Sequence, residues 1–502
     1  MVRPFRLPGP FSFVVAAVCV SASAGWLSLP ASAIDLPADA VVAELSQGVQ
    51  RFSIQRPGGG GGSNEPELAI FGVVWQLEHP SLALAPTGVR GELSPRLQDH
   101  APLHRDVFRA RRGLETLSRQ VASLARKLEV EAEARAMQAT MPMGVPEEPS
   151  LRRPRVLAAF NADFFAMRGD AAGSPVGLFI EDRELAFSGL QGRAFVSFGP
   201  GAMLNVHRQQ SLACSVRPAS PVIMDNQTPA GVDQPRPSPG GLLSVAAINA
   251  PLDSLREQVV IFTGRWGTST GTPTRQPAAT TKADEAPVNQ PRRIEIAFEG
   301  VGMAAIGAAF GTGAERQAFS RWVVVTPPSD AGDMAIPGDG WVLSLPNGAA
   351  SSPPTSTAQP LAASLTWASQ LRLGDEVELD VRVEPEGMHH AIGGGPVLML
   401  DGEVVFSGKA NEPRHPRTAI GRSATHGVLL VVDGRRPGHS LGMTLPELAQ
   451  LFREFGCVEA LNLDGGGSAT MWFADGEKGS IANRPSDGRE RKIPNGIALI
   501  GE

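Results

Sequence analysis

The segment from "HGVLLVVDGRR" (426–436) through "TLPELAQLFREFG" (444–456) to "CVEALNLDGGGSATMW" (457–472) constrains this chain more than any other stretch. Val428 to Val432 form five consecutive apolar residues, ended by Asp433-Gly434. A run so short and uniform, closed by a turn signal, reads as a strand buried on both faces. In the middle segment Thr444 and Glu447 make a capping box, and Pro446 fits the first helical turn, where its missing N–H costs nothing. Leu445, Leu448, Phe452 and Phe455 share one helical face, and Gly456 is the expected stop. Residues 457–464 then read as a second strand. The order strand, helix, strand predicts a βαβ unit with a right-handed crossover. Its two parallel strands would end at Asp433 and Asp464, placing both carboxylates at one edge of the sheet, where ligands of open α/β sheets collect.

Asp464 opens a second feature, Asp464-Gly465-Gly466-Gly467-Ser468. Successive glycines at a strand end can aim several backbone N–H groups into one concavity suited to phosphate, with Ser468 and Thr470 adding hydroxyls. A tight turn is the alternative reading. The lysine and spacing of a P-loop are missing, as is the G-x-S-x-G elbow of a serine hydrolase. Upstream, "RHPRTAIG" (414–421) sets Arg414, His415 and Arg417 within four residues. Arginine forks suit bidentate phosphate contacts, while a solvated basic face is the plainer explanation. "FNADFF" (160–165) places Asn161 and Asp163 where an apolar strand ends, a usual place for turn-forming residues. "AIGGGPVLMLDGEVVF" (391–406) carries a likeness to a hairpin, with Asp401-Gly402 at its turn.

The rest of the 502 residues bounds the context. Residues 1–33 carry Arg3 and Arg6, then an apolar run, then Ala-Ser-Ala, the layout of a cleaved export signal, with an uncleaved anchor as the rival. No later run has membrane-spanning length, so a mature chain from Ile34, periplasmic or extracellular, is expected. Losing the two arginines takes the net charge from −6 to −8, which is unlike a nucleic-acid-binding footprint. Cys214 and Cys457 would remain, either paired or as two buried thiols. "LETLSRQVASLARKLEVEAEARAMQ" (114–138) has Leu117, Val121, Leu124 and Leu128 at helical spacing, a helical insertion within about 105–140. Polar, proline-rich stretches at about 207–242, 268–291 and 327–360 read as surface loops, and "RPGGGGGSNEP" (56–66) as a flexible one. Short apolar segments elsewhere predict many strands and few helices before residue 440.

The ordered motifs "HPRTAIG", "VVDGRRPGHSLGMTLPELAQLF", "ALNLDGGGSATMW" and "NRPSDG" (483–488) together resemble the phosphodiester glycosidase family. "VLAAFNADFF" is similar to that family's upstream Asn-Gly-x-Phe-Phe motif, except that Asp163 stands where a glycine is common, and "GVQRFSI" near residue 48 looks like its opening strand. The likeness is dense over 391–502 and collinear, though thinner, from about 48. One elaborated mixed α/β domain over 34–502 is therefore expected. The resemblance implies hydrolysis of a sugar-1-phosphodiester, releasing free sugar such as N-acetylglucosamine and leaving a phosphomonoester on an exported glycan. It carries over Asn161, Arg417, Asp433, Arg435, Asp464, Gly465, Gly466, Gly467, Ser468, Thr470, Asn483 and Arg484 as the site, to which Thr418 is added as a binding residue.

Glycoside cleavage ordinarily employs two carboxyl groups about an oxocarbenium-like centre. Asp433 and Asp464 are the expected pair. A phosphate ester leaves with less protonation than an alcohol and needs more charge stabilisation, for which Arg417, Arg484 and the 465–468 N–H groups are candidates. His415 is the candidate for proton transfer. No cofactor is required by the sequence, though a divalent cation on the two aspartates is compatible with their chemistry. Two other classes share these residues: a non-catalytic envelope protein binding phosphorylated polysaccharide, and a phosphodiesterase cutting P–O.

Overall fold

The computed structural model describes residues 36–502 apart from 57–66, 91–108, 140–152, 169–170, 200, 220–241, 252–254, 256–257, 273–292, 303–305, 315, 347–366, 407, 409–411 and 477. The expected export signal, the glycine-rich loop after Arg56 and most of the three proline-rich stretches lie outside these residues. Strands dominate, with few helices, and assemble into two eight-stranded and two five-stranded sheets among the described residues. The fold is mixed α/β, as the sequence implies.

The segment that constrains the sequence also organises the structure. Strand His426–Val432 and strand Glu459–Asn462 flank strand Arg417–Arg422, and each pairs with it antiparallel. The outer two therefore run parallel to each other, as the βαβ reading requires, but a third strand is inserted between them. This insertion is what builds the site. Because the middle strand is antiparallel, its start lies where its neighbours end: Arg417 pairs with Val432, the residue before Asp433, and Ala419 with Asn462. Parallel pairing as such occurs elsewhere, between the short strands Ala247–Ile248 and Val260–Thr263.

Helix Leu445–Glu454 forms as its sequence dictates. Thr444 caps it, with both bonds of the capping box to Glu447 present and a proline in the first turn. Gly456 follows at φ +71°, the left-handed conformation that glycine adopts without strain. The apolar helix face lies on one side of the sheet, where Leu448, Phe452 and Phe455 join Val428, Leu430 and Val432. Leu429 and Val431, pointing the other way, enter a second core with Phe160, Met471 and Leu499. The run Val428–Val432 is thus buried on both faces because a helix covers one and a five-stranded sheet the other.

That five-stranded sheet has the order Lys478–Ile481, Met471–Asp475, Arg155–Asn161, Asn495–Gly501, Leu82–Gly88. Its outer face is covered by helix Leu117–Ala139, through the four predicted positions Leu117, Val121, Leu124 and Leu128. Its central strand ends at Asn161, delivering residues 161–164 to the site. Asp401 and Gly402 form the expected hairpin turn, both at positive φ, between Leu400 and its partner Glu403.

One expectation needs correction. The stretches at 207–242 and 327–360 are not loops throughout, since Ser211–Pro218 and Gly340–Pro346 are strands of the second eight-stranded sheet. Gly340–Pro346 is buried along nearly its whole length, against neighbours at residues 260–263 and 293–299 that its proline-rich flanks conceal. Of the two alternatives for Cys214 and Cys457, the structure shows two free, buried thiols.

Truncating the helix face should cost far more than removing its cap. Leu448→Ala is expected to lower unfolding free energy by about 2–5 kcal/mol, and Thr444→Ala by about 1 kcal/mol. Urea denaturation of both variants beside the parent checks this ordering.

Candidate active site

A cavity of about 290 Å³ opens at the shared edge of these strands. It is lined by Phe164, His415, Pro416, Arg417, Arg435, Asp464, the glycines 465–467 and Arg491. Most of the residues expected from sequence meet here, but they divide into those that face the cavity and those that hold it in shape.

Asn161 is of the second kind. It is 1% exposed. Its Oδ1 accepts from the Thr418 hydroxyl at 2.7 Å and the Thr470 N–H at 3.0 Å, and its Nδ2 donates to the Asp464 carbonyl at 2.6 Å. One amide thereby joins the end of strand Arg155–Asn161 to the start of the 417–422 strand and to both ends of the glycine turn. Thr418, Ser468 and Thr470 are likewise buried behind the cavity wall, so their hydroxyls do not face an incoming group as the sequence suggested.

Asp433 also departs from its expected role. It is 1% exposed and saturated with donors. Oδ1 accepts from Asn483 Nδ2 at 2.8 Å and the Arg484 N–H at 3.2 Å. Oδ2 accepts from the same N–H at 2.9 Å and pairs with His439 Nε2 at 2.8 Å. A carboxylate so engaged is a structural anchor, and it offers no lone pair for a cation shared with Asp464. Asn483 is equally committed: beyond Asp433 it donates to the Ala469 carbonyl and accepts from the Met471 N–H. Arg484 contributes its backbone N–H, while its side chain is exposed and away from the cavity lining.

The three glycines each answer a different steric demand. A Cβ on Gly465 would stand 2.5 Å from the Pro416 carbonyl oxygen. Gly466 has φ +61° and lies against the Arg435 guanidinium, and a Cβ on Gly467 would collide with the Arg491–Asp487 ion pair. The expected N–H cradle is only partly open. Gly466 N–H donates to Pro416 O and Ser468 N–H to Gly465 O, and the Gly465 N–H acts on the Asp464 carboxyl, so three of the four donors are already engaged. The turn brings backbone close to arginines more than it presents N–H groups.

The facing groups are Asp464 and a cationic arc. Burial pushes the Asp464 carboxyl up to about 6, opposed by the neighbouring Ser468 hydroxyl, Arg491 and the Gly465 N–H. The Ser468 oxygen lies outside hydrogen-bonding geometry, so we read its influence on Asp464 as weak. Arg417 bonds the Met443 carbonyl and pairs with Glu412 at 3.4 Å, and Arg491 pairs with Asp487 at 2.7 Å. Arg435 has no carboxylate partner among the described residues. Its guanidinium meets His415 Nδ1 at 3.3 Å. Partial burial, then Arg435 and Arg417, hold the His415 imidazolium below its ordinary range, so the ring is neutral near pH 7. The arrangement can hold an anion against Arg435 while a carboxylate and a neutral imidazole stand beside it.

Sequence reading missed Arg491, Phe164 and His439. Arg491 follows the matched "NRPSDG" motif by three residues, and His439 lies six residues after Asp433; proximity to those motifs was the available signal. The described residues also contain a potential ligand cluster outside this cavity's lining, Asp182, His389 and His390. There Lys127 Nζ already sits 2.6 Å from Asp182, and its charge opposes a cation.

A raised carboxyl has a definite stability signature. Asp464 gains its proton more readily when folded, so its contribution is full below the unfolded value of 3.8 and is lost as pH rises through about 6. Asp464→Asn should therefore be more stable than the parent at pH 8, by on the order of 1–3 kcal/mol, with the margin closing towards acid. Chemical denaturation at several pH values measures it.

Comparison with known proteins agrees with this architecture. Residues 344–500 match the model of the phosphodiester glycosidase family, while the motifs near residues 48 and 161 lie upstream of that match. The SPbeta prophage-derived uncharacterized protein YomE of Bacillus subtilis (strain 168) is 39% identical over 87 residues, which is 17% of this chain and 13% of that protein. A hypothetical protein from Synechocystis shares the fold with a TM-score of 0.54 at 17% identity, covering 93% of this chain and 64% of that one. A Burkholderia pseudomallei protein described as exported does so with a TM-score of 0.53 at 17% identity, covering 88% and 75%. The matched residues 344–500 hold the glycine turn, Asp433, Asp464 and the arginine arc, so it is this part of the chain that is similar to the phosphodiester glycosidase family.

Proposed function

We propose that this protein hydrolyses a sugar-1-phosphodiester at the sugar's C–O bond, releasing free sugar and leaving a phosphomonoester. Phosphodiester glycosidase activity of a general kind follows from the family match. The observation that supports the finer reading is the placement of Asp464 across one cavity from Arg435, with Arg417 and Arg491 on the same walls. The diester's negative charge is held by Arg435 and offset further by the two paired arginines. Asp464 is then the carboxylate beside the anomeric carbon, either attacking it or activating water. His415, neutral and touching Arg435, is the group available to take a proton from that water. Departing phosphate needs little protonation and much electrostatic support, which is what the arginine arc offers. N-acetylglucosamine is the proposed sugar and an exported glycan the proposed carrier. The periplasm or cell exterior is the proposed location, in keeping with the leader-like residues 1–33 and the exported structural relative. Among the described residues no helix is long and apolar enough to cross a membrane.

Asp464→Asn tests the assignment because it preserves shape and removes the charge. On a panel of N-acetylglucosamine-1-phosphodiesters and UDP-sugars, the parent should release free sugar and the variant should lose at least about a hundredfold in kcat while retaining substrate affinity. A parent protein that binds these diesters without turnover would instead mark a binding module.

A further inference from the structure

Asp163 is the ionisable group near the cavity for which the proposed chemistry has no use. It is 1% exposed. Its Oδ2 accepts from the Gly177 N–H at 2.8 Å, while Oδ1 is buried and makes no hydrogen bond. The carboxyl occupies a space that two glycines leave open: a Cβ on Gly177 would stand 2.9 Å from Oδ2, and one on Gly393 2.7 Å. Its chain neighbours belong to the site. Ala162 accepts the Asp464 N–H at 2.7 Å, and Phe164 forms part of the cavity wall beneath the Arg193 guanidinium, 5.4 Å from the ring centre.

A buried carboxyl so sparsely bonded favours its neutral form, because ionisation would strand a charge where the neighbouring N–H groups cannot replace its hydration. Burial pushes Asp163 up to about 7, against the Gly177 and Phe164 N–H groups and Arg193, and with help from Asp464. Its protonation thus changes within an ordinary working range.

We propose that Asp163 is a positioning residue whose own proton controls anion entry. Neutral, it leaves the wall between Phe164 and Asp464 uncharged and receptive to a phosphodiester; ionised, it places a negative charge behind that wall and weakens binding. The inference rests on the phosphodiester reading of the cavity. It requires that the effect of Asp163 be separated from that of the other charged groups facing the space. Arg193, Arg417, Arg435, Arg491 and His415 are common to every variant compared, so their contributions cancel between proteins with and without Asp163, and Asp464 is removed by design in the experiment.

The probe is dimethyl phosphate, a monoanion throughout the range of interest, so its own titration does not enter. In Asp464→Asn protein, its affinity measured by calorimetry is expected to fall about fivefold to tenfold as pH rises through about 7. In Asp464→Asn/Asp163→Asn, and in the second uncharged version with Asp163→Ala, affinity should change by less than about twofold over that range. Infrared titration of the same proteins should show a protonated carboxyl band lost over that window with Asp163 present and missing without it. An equal fall in the double variants, or a flat profile in Asp464→Asn, overturns the control by Asp163. If dimethyl phosphate binds none of the proteins, the phosphodiester reading fails and the gate with it, while the infrared band still decides whether Asp163 holds the proton.

Discussion

The side-chain amide of Asn161 holds this site together. Its three hydrogen bonds reach Thr418, Thr470 and Asp464, residues 257 to 309 positions away in sequence. They join the end of a strand in one sheet to the start of a strand in another and to the glycine turn between them. Each partner is buried or nearly so, where a lost bond leaves a polar group unsatisfied. The cavity exists because these three backbones are fixed at one edge, and its chemistry follows from which side chains that fixing leaves exposed.

Two aspartates that look equivalent in the sequence are given opposite roles by this geometry. Asp433 ends its strand beneath the surface and meets three donors from His439, Asn483 and Arg484. Both of its oxygens are hydrogen-bonded, and it works as an anchor for the 483–484 backbone. Asp464 ends its strand at the cavity, where burial exceeds the compensation available and its proton affinity rises. Asp163, buried just past the end of strand Arg155–Asn161 in the other sheet, lies close enough for the two carboxyls to influence each other's protonation.

How much of this was legible depended on how local the physics was. The helix at 445–454, its cap and stop, the two-faced burial of Val428–Val432 and the common edge of Asp433 and Asp464 all follow from patterns within about forty residues. The intervening strand did not, because register between Arg417–Arg422 and its neighbours is a tertiary outcome. Nor did the occupancy of Asp433, since Asn483 and Arg484 lie some fifty residues on. Strand Gly340–Pro346 was hidden by polar flanks, although "WVLSL" within it is apolar at four of five positions. The glycine triplet reads in sequence as an N–H cradle or a tight turn, and what lies against it is the Pro416 carbonyl and the Arg435 and Arg491 side chains.

The central claim is that the cavity acts on the sugar side of a phosphodiester. Hydrolysis of an N-acetylglucosamine-1-phosphodiester in oxygen-18 water, with mass analysis of both products, tests it directly. With Asp464 beside the anomeric carbon and Arg435 on the phosphate, the heavy oxygen should appear in the released sugar. Its appearance in the phosphate would show P–O cleavage and contradict the account.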